Sequence, residues 1–156
     1  MSGVKIEKSP GDLNQYHYFV LPNNLKVLLI QDNNTKQFGQ VDQASNLAFC
    51  SVTVNAGSFN NPKSREGLAH FLEHMIFLGS EKYPNENELS AHIGSNGGIA
   101  NAYTEFEWTS FQFQVTYEGL SRTLDMLASA FDQAKLDMSC MNREITAIEN
   151  EFQSCY

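Results

Sequence analysis

Two histidines and a glutamate lie close together in the run His70-Phe71-Leu72-Glu73-His74, within a segment that predicts a helix. At about 100° per residue, His74 lies about 40° around the helix from His70 and Glu73 about 60° to the other side. The three polar side chains therefore share one sector. Two imidazoles on one face can bind one metal ion, and a carboxylate beside them can act as base toward metal-bound water. The apolar residues predicted to pack on the opposite side are Leu68, Phe71, Leu72, Met75 and Ile76.

A simpler interpretation of these residues stays open. Histidines on a partly apolar helix are commonly hydrogen-bonded to a carboxylate or a carbonyl, so the run by itself is only a hypothesis of a metal site. The same donors also suit other first-row metal ions. Zinc is favoured because a base beside the ligands suits hydrolysis rather than redox chemistry.

The composition is that of an ordinary globular chain of 156 residues, 42% of them hydrophobic and 18% charged. A formal net charge of −8 without a basic cluster argues against a nucleic-acid partner. No apolar stretch predicts a signal peptide or a transmembrane helix, so we expect no membrane partner and a cytoplasmic location by default. Three widely spaced cysteines, Cys50, Cys140 and Cys155, favour reduced thiols. We expect one domain over residues 1–156, with residues 1–14 flexible.

Alternating apolar residues predict strands, and several turn signals separate them. The clearest alternation places Phe111, Phe113, Val115 and Tyr117 on one side of a strand. The predicted strands cover residues 15–21, 25–31, 47–54, 100–104 and 108–117, with a tight turn at 22–24 and a loop over 32–45. The last two strands are expected to be antiparallel.

The pattern also predicts four helices. Ser64 is a candidate cap for the helix that carries the histidines. Asn85 and Glu88 have the spacing of a capping box for a second helix that ends near Ile93. An amphipathic helix is predicted from Leu120, Leu124, Leu127 and Phe131, and a last helix from Ser139 to the end of the chain.

The last helix contains two candidates for a third metal ligand. A catalytic zinc ion held by two histidines needs one more protein donor. Glu144 and Glu151 are seven residues apart, so they lie almost directly above each other at the edge of an apolar stripe. A solvated acidic face explains the same spacing, and helix geometry alone favours that simpler interpretation.

The order of these residues resembles that of the insulysin/pitrilysin family of inverted-motif zinc metallopeptidases, the inverzincins. Glu151 follows the HxxEH run after 76 intervening residues, with Glu144 seven before it. Four further blocks occur in the family's order: LPNNLKVLLIQD, AGSFNNPKSREGLAHFLEHMIFLGSEKYPNENE, GGIANAYTEFEWTSFQFQV and NREITAIENEF. The part FLGSEKYPNENE resembles the insulysin, pitrilysin and nardilysin branch more than the mitochondrial processing peptidases. The resemblance implies an α+β fold, with helices packed on one face of a mainly antiparallel sheet, as in a processing-peptidase-like metallohydrolase.

The resemblance also implies a role for each candidate residue. His70, His74 and Glu151 would bind one Zn²⁺ per chain, with Glu73 as the general base. Glu144 would orient a ligating imidazole through its other ring nitrogen. A further segment would receive the peptide substrate as an added edge strand, although a glycine-rich turn leading into a strand explains it equally well. That segment is Gly98, Ile99, Ala100, Asn101 and Ala102.

The activity implied is that of a zinc-dependent endopeptidase acting on extended peptides or small unfolded proteins. The chain stops five residues after Glu151, where the family's catalytic domain continues and is paired with a second half. We therefore expect a truncated N-terminal portion of a catalytic domain, with the remainder of the peptidase as a partner. We also expect self-association through the exposed truncated face and poor hydrolysis by the chain alone. A non-catalytic relative acting as scaffold or partner subunit is the alternative, but the intact ligands and base favour the enzyme.

Overall fold

The structure, a computed structural model, describes residues 6–32 and 46–154, which belong to two compact units divided after Ser45. The first unit contains an antiparallel hairpin of β1 (Gln15–Val20) and β2 (Lys26–Gln31). The predicted hairpin is confirmed. The predicted loop lies, after its first residue, outside the described residues. The single domain and the flexible residues 1–14 stay predictions.

The second unit is built on a three-stranded sheet in the order β3-β5-β4, with both pairs antiparallel. Its strands are β3 (Leu47–Val54), β4 (Ile99–Thr104) and β5 (Thr109–Thr116). Side chains alternate between the two faces of a strand, so every second residue of β5 is buried on one face. Those residues are Phe111, Phe113 and Val115, as the alternation predicts. The prediction is wrong for Tyr117, which begins the following helix and is 57% exposed, because the strand ends at Thr116.

Four helices complete this unit: α1 (Leu68–Ile76), α2 (Glu88–Ser95), α3 (Tyr117–Asp132) and α4 (Met138–Ser154). Apolar residues of α1, α2 and α3 form a buried cluster with one face of the sheet. The members of this cluster are Ile76, Leu89, Ile93, Phe111, Phe113, Val115, Met126, Leu127 and Ala130. The predicted α+β class is therefore confirmed. None of the helices in the described ranges combines the length and the apolar character needed to cross a bilayer.

Both predicted helix caps are wrong. α1 begins at Leu68, and its Ala69 N–H donates to the side-chain oxygen of Asn61 at 2.9 Å, so Asn61 rather than Ser64 satisfies the helix end. In α2 the N–H of Glu88 donates to the backbone carbonyl of Asn85, not to its side chain. Which polar group reaches a helix end depends on the path of the preceding loop, and sequence spacing does not contain that path.

The apolar side of α1 is only partly buried. Met75 and Ile76 are 0% and 6% exposed, as predicted, but Leu68 and Leu72 are 46% and 48% exposed. The two leucines lie in the first five residues of the helix, and the buried pair lies in its last two. Burial therefore depends on which turn packs against the core as well as on which side a residue occupies.

Candidate metal centre

The metal-binding geometry starts from one turn of α1. Residues four apart on a helix lie on the same face, and the Nε2 atoms of His70 and His74 are 3.2 Å apart. Glu151 comes from α4, with its Oε2 atom 3.7 Å from Nε2 of His70 and 3.6 Å from Nε2 of His74. These three side chains each offer a ligand atom within 4.8 Å of the others. The fold thus brings together residues that are far apart in the chain.

The three separations fit one small cation. Ligand atoms about 2.0–2.2 Å from a tetrahedral zinc ion are roughly 3.3–3.6 Å from one another. Two imidazole nitrogens with one carboxylate oxygen form a donor set used by catalytic zinc, which keeps its fourth position for water or substrate. The side chain of Glu151 is 55% exposed, so one side of the cluster is accessible to such a ligand.

Glu144 contacts the second nitrogen of His74. Its Oε2 atom lies 3.0 Å from Nδ1, and both side chains are about three-quarters buried. When Nδ1 carries the proton and donates it to this carboxylate, Nε2 presents its lone pair toward the cluster. The seven-residue spacing on α4 therefore places one carboxylate behind an imidazole and the other in front of it.

Glu73 is buried, with 7% of its surface exposed, and is not part of the three-residue cluster. The hydroxyl of Thr104, the last residue of β4, donates a hydrogen bond to Glu73 Oε2 at 2.5 Å. A buried carboxylate needs such a partner. Sequence reasoning missed Thr104, and a hydroxyl at the end of a predicted strand was the only available signal.

The proposed substrate segment lies at the edge of the sheet. Gly98 precedes β4, and the other four residues of the segment belong to the strand, which pairs with β5 on one side. No strand of the described ranges pairs with its other side. A Cβ atom on Gly98 would lie 2.1 Å from the carbonyl oxygen of Gln114, so the close approach of the two strands requires glycine there. A free strand edge offers N–H and C=O groups to an extended peptide.

Two side chains of α4 donate hydrogen bonds to Glu86, which lies two residues before α2. The buried thiol of Cys140 donates to Glu86 at 2.9 Å, and Arg143 donates to the other oxygen of the same carboxylate. These hydrogen bonds, the one from Cys140 first, lower the pKa of Glu86. Cys50 and Cys140 are free thiols, as predicted, and Cys155 lies outside the described residues.

The fold and this cluster together define the class of protein. An antiparallel sheet covered by helices, with an HxxEH helix and a distant glutamate converging on one point, is the arrangement of a candidate metallohydrolase. Residues 40–155 match the family model described as insulinase, peptidase family M16. This chain belongs to the insulinase family.

Comparison with individual proteins agrees with this assignment. The chain is 41% identical over 148 residues to an insulin-degrading enzyme homolog of Dictyostelium discoideum, a match covering 95% of this chain and 14% of that protein. It is 40% identical over 151 residues to the insulin-degrading enzyme of Homo sapiens, covering 97% of this chain and 14% of that protein. A crystal structure of pitrilysin superposes with a TM-score of 0.85 at 34% identity, over 96% of this chain and 15% of pitrilysin.

The predicted resemblance to the insulysin/pitrilysin family and the predicted fold are thereby confirmed. The chain spans about one seventh of the length of these relatives, between 14% and 15%.

Proposed function

We propose that this chain is the metal-binding segment of a zinc-dependent endopeptidase that hydrolyses extended peptides and small unfolded proteins. The observation that carries the proposal is the convergence of two Nε2 atoms, of His70 and His74, with Oε2 of Glu151. Membership of the insulinase family supports a peptidase. The polypeptide substrate class is proposed by likeness to relatives named insulin-degrading enzymes.

The cluster would hold one Zn²⁺ per chain through His70, His74 and Glu151. Glu144 would keep His74 in the tautomer and orientation needed for binding, which is what its 3.0 Å contact with Nδ1 supports. Bound zinc supplies a Lewis acid that polarises the scissile carbonyl and makes water more acidic. No covalent acyl intermediate is required in such a hydrolysis.

Glu73 would be the general base. It is next to His74 in α1, about 100° around the helix from it. It is absent from the ligand cluster, so its carboxylate stays available for proton transfer. Glu73 would take a proton from the attacking water and later pass it to the leaving amine. Its burial excludes bulk water from competing for this proton.

The free edge of β4 would receive the substrate as an additional strand. Ile99, Ala100 and Asn101 are exposed, and an extended peptide would add main-chain hydrogen bonds along them. The same strand ends at Thr104, which contacts Glu73. A peptide at this edge would therefore run along a strand whose last residue is bonded to the base.

We expect hydrolysis by this chain alone to be weak. Glu151 is more than half exposed, so the proposed zinc site is open to water on one side, and an open site weakens the electrostatic interactions that stabilise a transition state. Robust proteolysis by the purified 156-residue chain would contradict this expectation.

Self-association and pairing with a remainder of the peptidase belong to the same proposal. On α4, Ile145 and Phe152 are 56% and 60% exposed, and large exposed apolar side chains favour association. Analytical ultracentrifugation of the chain and of Ile145→Lys tests this. A monomer at all concentrations would contradict self-association.

The alternative, a non-catalytic scaffold or partner subunit, is not favoured. A scaffold does not require a carboxylate that orients a metal-binding imidazole. Glu144 is nevertheless hydrogen-bonded to Nδ1 of His74. A scaffold could also lack the general base and still bind its partner, whereas Glu73, the proposed base, is present and buried.

Zinc content and peptide cleavage together test the proposal. Elemental analysis of the purified chain should find one zinc per chain, and His70→Ala should lose it. His17→Gln, which changes a histidine of the hairpin, is the matched control and should retain it. Glu73→Gln should retain zinc and lose all cleavage of an internally quenched peptide. A chain that binds no zinc, or a Glu73→Gln variant as active as the wild type, would contradict the proposal.

A further inference from the structure

The hydroxyl of Thr104 connects the end of an edge strand to the side chain of Glu73. The bond from Thr104 Oγ1 to Glu73 Oε2 is 2.5 Å long and is the one hydrogen bond made by this carboxylate within residues 6–32 and 46–154. Glu73 is 7% exposed, so water replaces this bond poorly. One carboxylate oxygen is thereby held by the protein, and Oε1 is left for a reacting proton.

The hydroxyl of Thr104 donates its one proton to Glu73 and not to the neighbouring Thr109. Thr109 lies opposite Thr104 in the β4–β5 register, with 3.4 Å between their hydroxyl oxygens. A hydroxyl has one proton to donate, and Thr109 lies closer to an acceptor elsewhere, the carbonyl of Ala56 at 2.8 Å. The Thr109 proton is therefore engaged by Ala56, and the Thr104 proton by Glu73.

We propose that Thr104 is a positioning residue for Glu73, an inference that rests on the proposed function of Glu73 as the base. Thr104 touches neither the cluster of His70, His74 and Glu151 nor a reacting atom. It acts by fixing the orientation of the carboxylate relative to β4. Because the proposed peptide edge is the same strand, the substrate and the hydroxyl that orients the base would both lie on β4.

The side chain at position 104 must then supply a hydroxyl rather than volume. Thr104→Val keeps the shape of the side chain and removes the donor, and Thr104→Ser keeps the donor and removes a methyl group. Thr53→Val, on the exposed face of β3, is the matched control for a threonine-to-valine change within the same sheet.

Steady-state cleavage of a quenched peptide by the zinc-loaded chain is the first test. Thr104→Val should lower kcat by about tenfold to hundredfold with KM within about twofold, as loss of an orienting partner does. Thr104→Ser should restore most of the rate, Thr53→Val should match the wild type, and all variants should retain zinc. A Thr104→Val variant with the wild-type kcat, or a Thr104→Ser variant as slow as Thr104→Val, would overturn the inference.

A double-mutant cycle on thermal unfolding without metal tests the contact independently of any activity. Thr104→Val should lower Tm by about 3 °C or more in the wild type and by almost nothing in Glu73→Leu, because the two residues act as a pair. Equal losses in both backgrounds would mean that Thr104 acts elsewhere and would overturn the inference. If the wild type binds no zinc and cleaves nothing, the proposed function fails, and the cycle still decides whether Thr104 holds Glu73.

Discussion

Nδ1 of His74 lies 3.0 Å from Oε2 of Glu144, a residue of a helix 70 positions further along the chain. This contact joins α1 to α4 through the ring nitrogen of His74 that is not directed at the cluster of His70, His74 and Glu151. The other nitrogen of the same ring is 3.6 Å from Glu151, one helical heptad after Glu144. One imidazole is therefore placed between two carboxylates of a single helix.

Replacing Glu144 should weaken zinc binding without removing a ligand. Glu144→Gln loses the charge that favours a proton on Nδ1 of His74, so we expect zinc affinity to fall about tenfold to hundredfold. Competition with a chromophoric chelator measures the change. Glu149→Gln alters an exposed carboxylate of the same helix and should leave the affinity unchanged. Equal affinities for Glu144→Gln and the wild type would contradict the role of Glu144.

Zinc should stabilise the fold, because its proposed ligands join α1 to α4. At free zinc about 100-fold above Kd, binding to the folded state alone contributes about 2.7 kcal/mol. We expect a rise in Tm that EDTA reverses, and a much smaller rise in Glu151→Gln, which keeps the two histidines. Differential scanning calorimetry measures both. A full rise in the variant would show that Glu151 is not a ligand.

Gly98→Ala should destabilise the chain, since the added Cβ would lie 2.1 Å from the backbone carbonyl oxygen of Gln114. Overpacking against backbone costs about 1–3 kcal/mol. Gly94→Ala is the matched comparison: it lies in α2 with open space around its Cβ position, and it should raise stability by roughly 0.5–1 kcal/mol. Urea unfolding of both variants measures the difference. Similar stabilities would show that the β4–β5 approach is less close than described.

Acid should remove a contribution made by Asp125. The Lys82 ammonium donates to Asp125 at 2.6 Å, and with a second hydrogen bond from Tyr83 it holds the pKa of Asp125 below its ordinary value of 3.8. A lowered pKa favours folding above the unfolded value, so the contribution is present above about pH 4 and is lost as pH falls through the folded pKa.

The stability gap between wild type and Asp125→Asn should therefore be constant from about pH 5 to 7 and narrow below about pH 4. Urea unfolding across this range at low ionic strength measures the gap. The difference in stability between wild type and Tyr83→Phe, which removes one of the two donors to Asp125, should be smaller. A gap that widens on acidification would contradict the assigned direction of the pKa shift.

The sequence predicted those parts of the fold that depend on local periodicity. Alternation in β5 located the buried residues Phe111, Phe113 and Val115, and the i, i+4 spacing of the histidines placed them on one face of α1. Both follow from the geometry of a single element, so no knowledge of its neighbours was needed.

The features that sequence did not predict depend on packing between elements. Asn61 reaches the start of α1 through a loop whose path no local pattern encodes. Thr104 meets Glu73 only because the end of β4 packs beside α1. Leu68 is exposed and Ile76 is buried although both are apolar, because they lie two turns apart on α1. Only the resemblance to the family predicted that Glu144 and Glu151 lie close to the two histidines.

The wide separation of the proposed ligands along the chain has a consequence during synthesis. Glu151 follows His74 by 77 positions, the difference of their numbers, and ribosomes add about 5–20 residues per second. The two histidines are therefore made roughly 4–15 s before the carboxylate that completes their cluster. During this interval α1 exists without α4 against it, so the proposed three-ligand site is complete only after α4 has been synthesised.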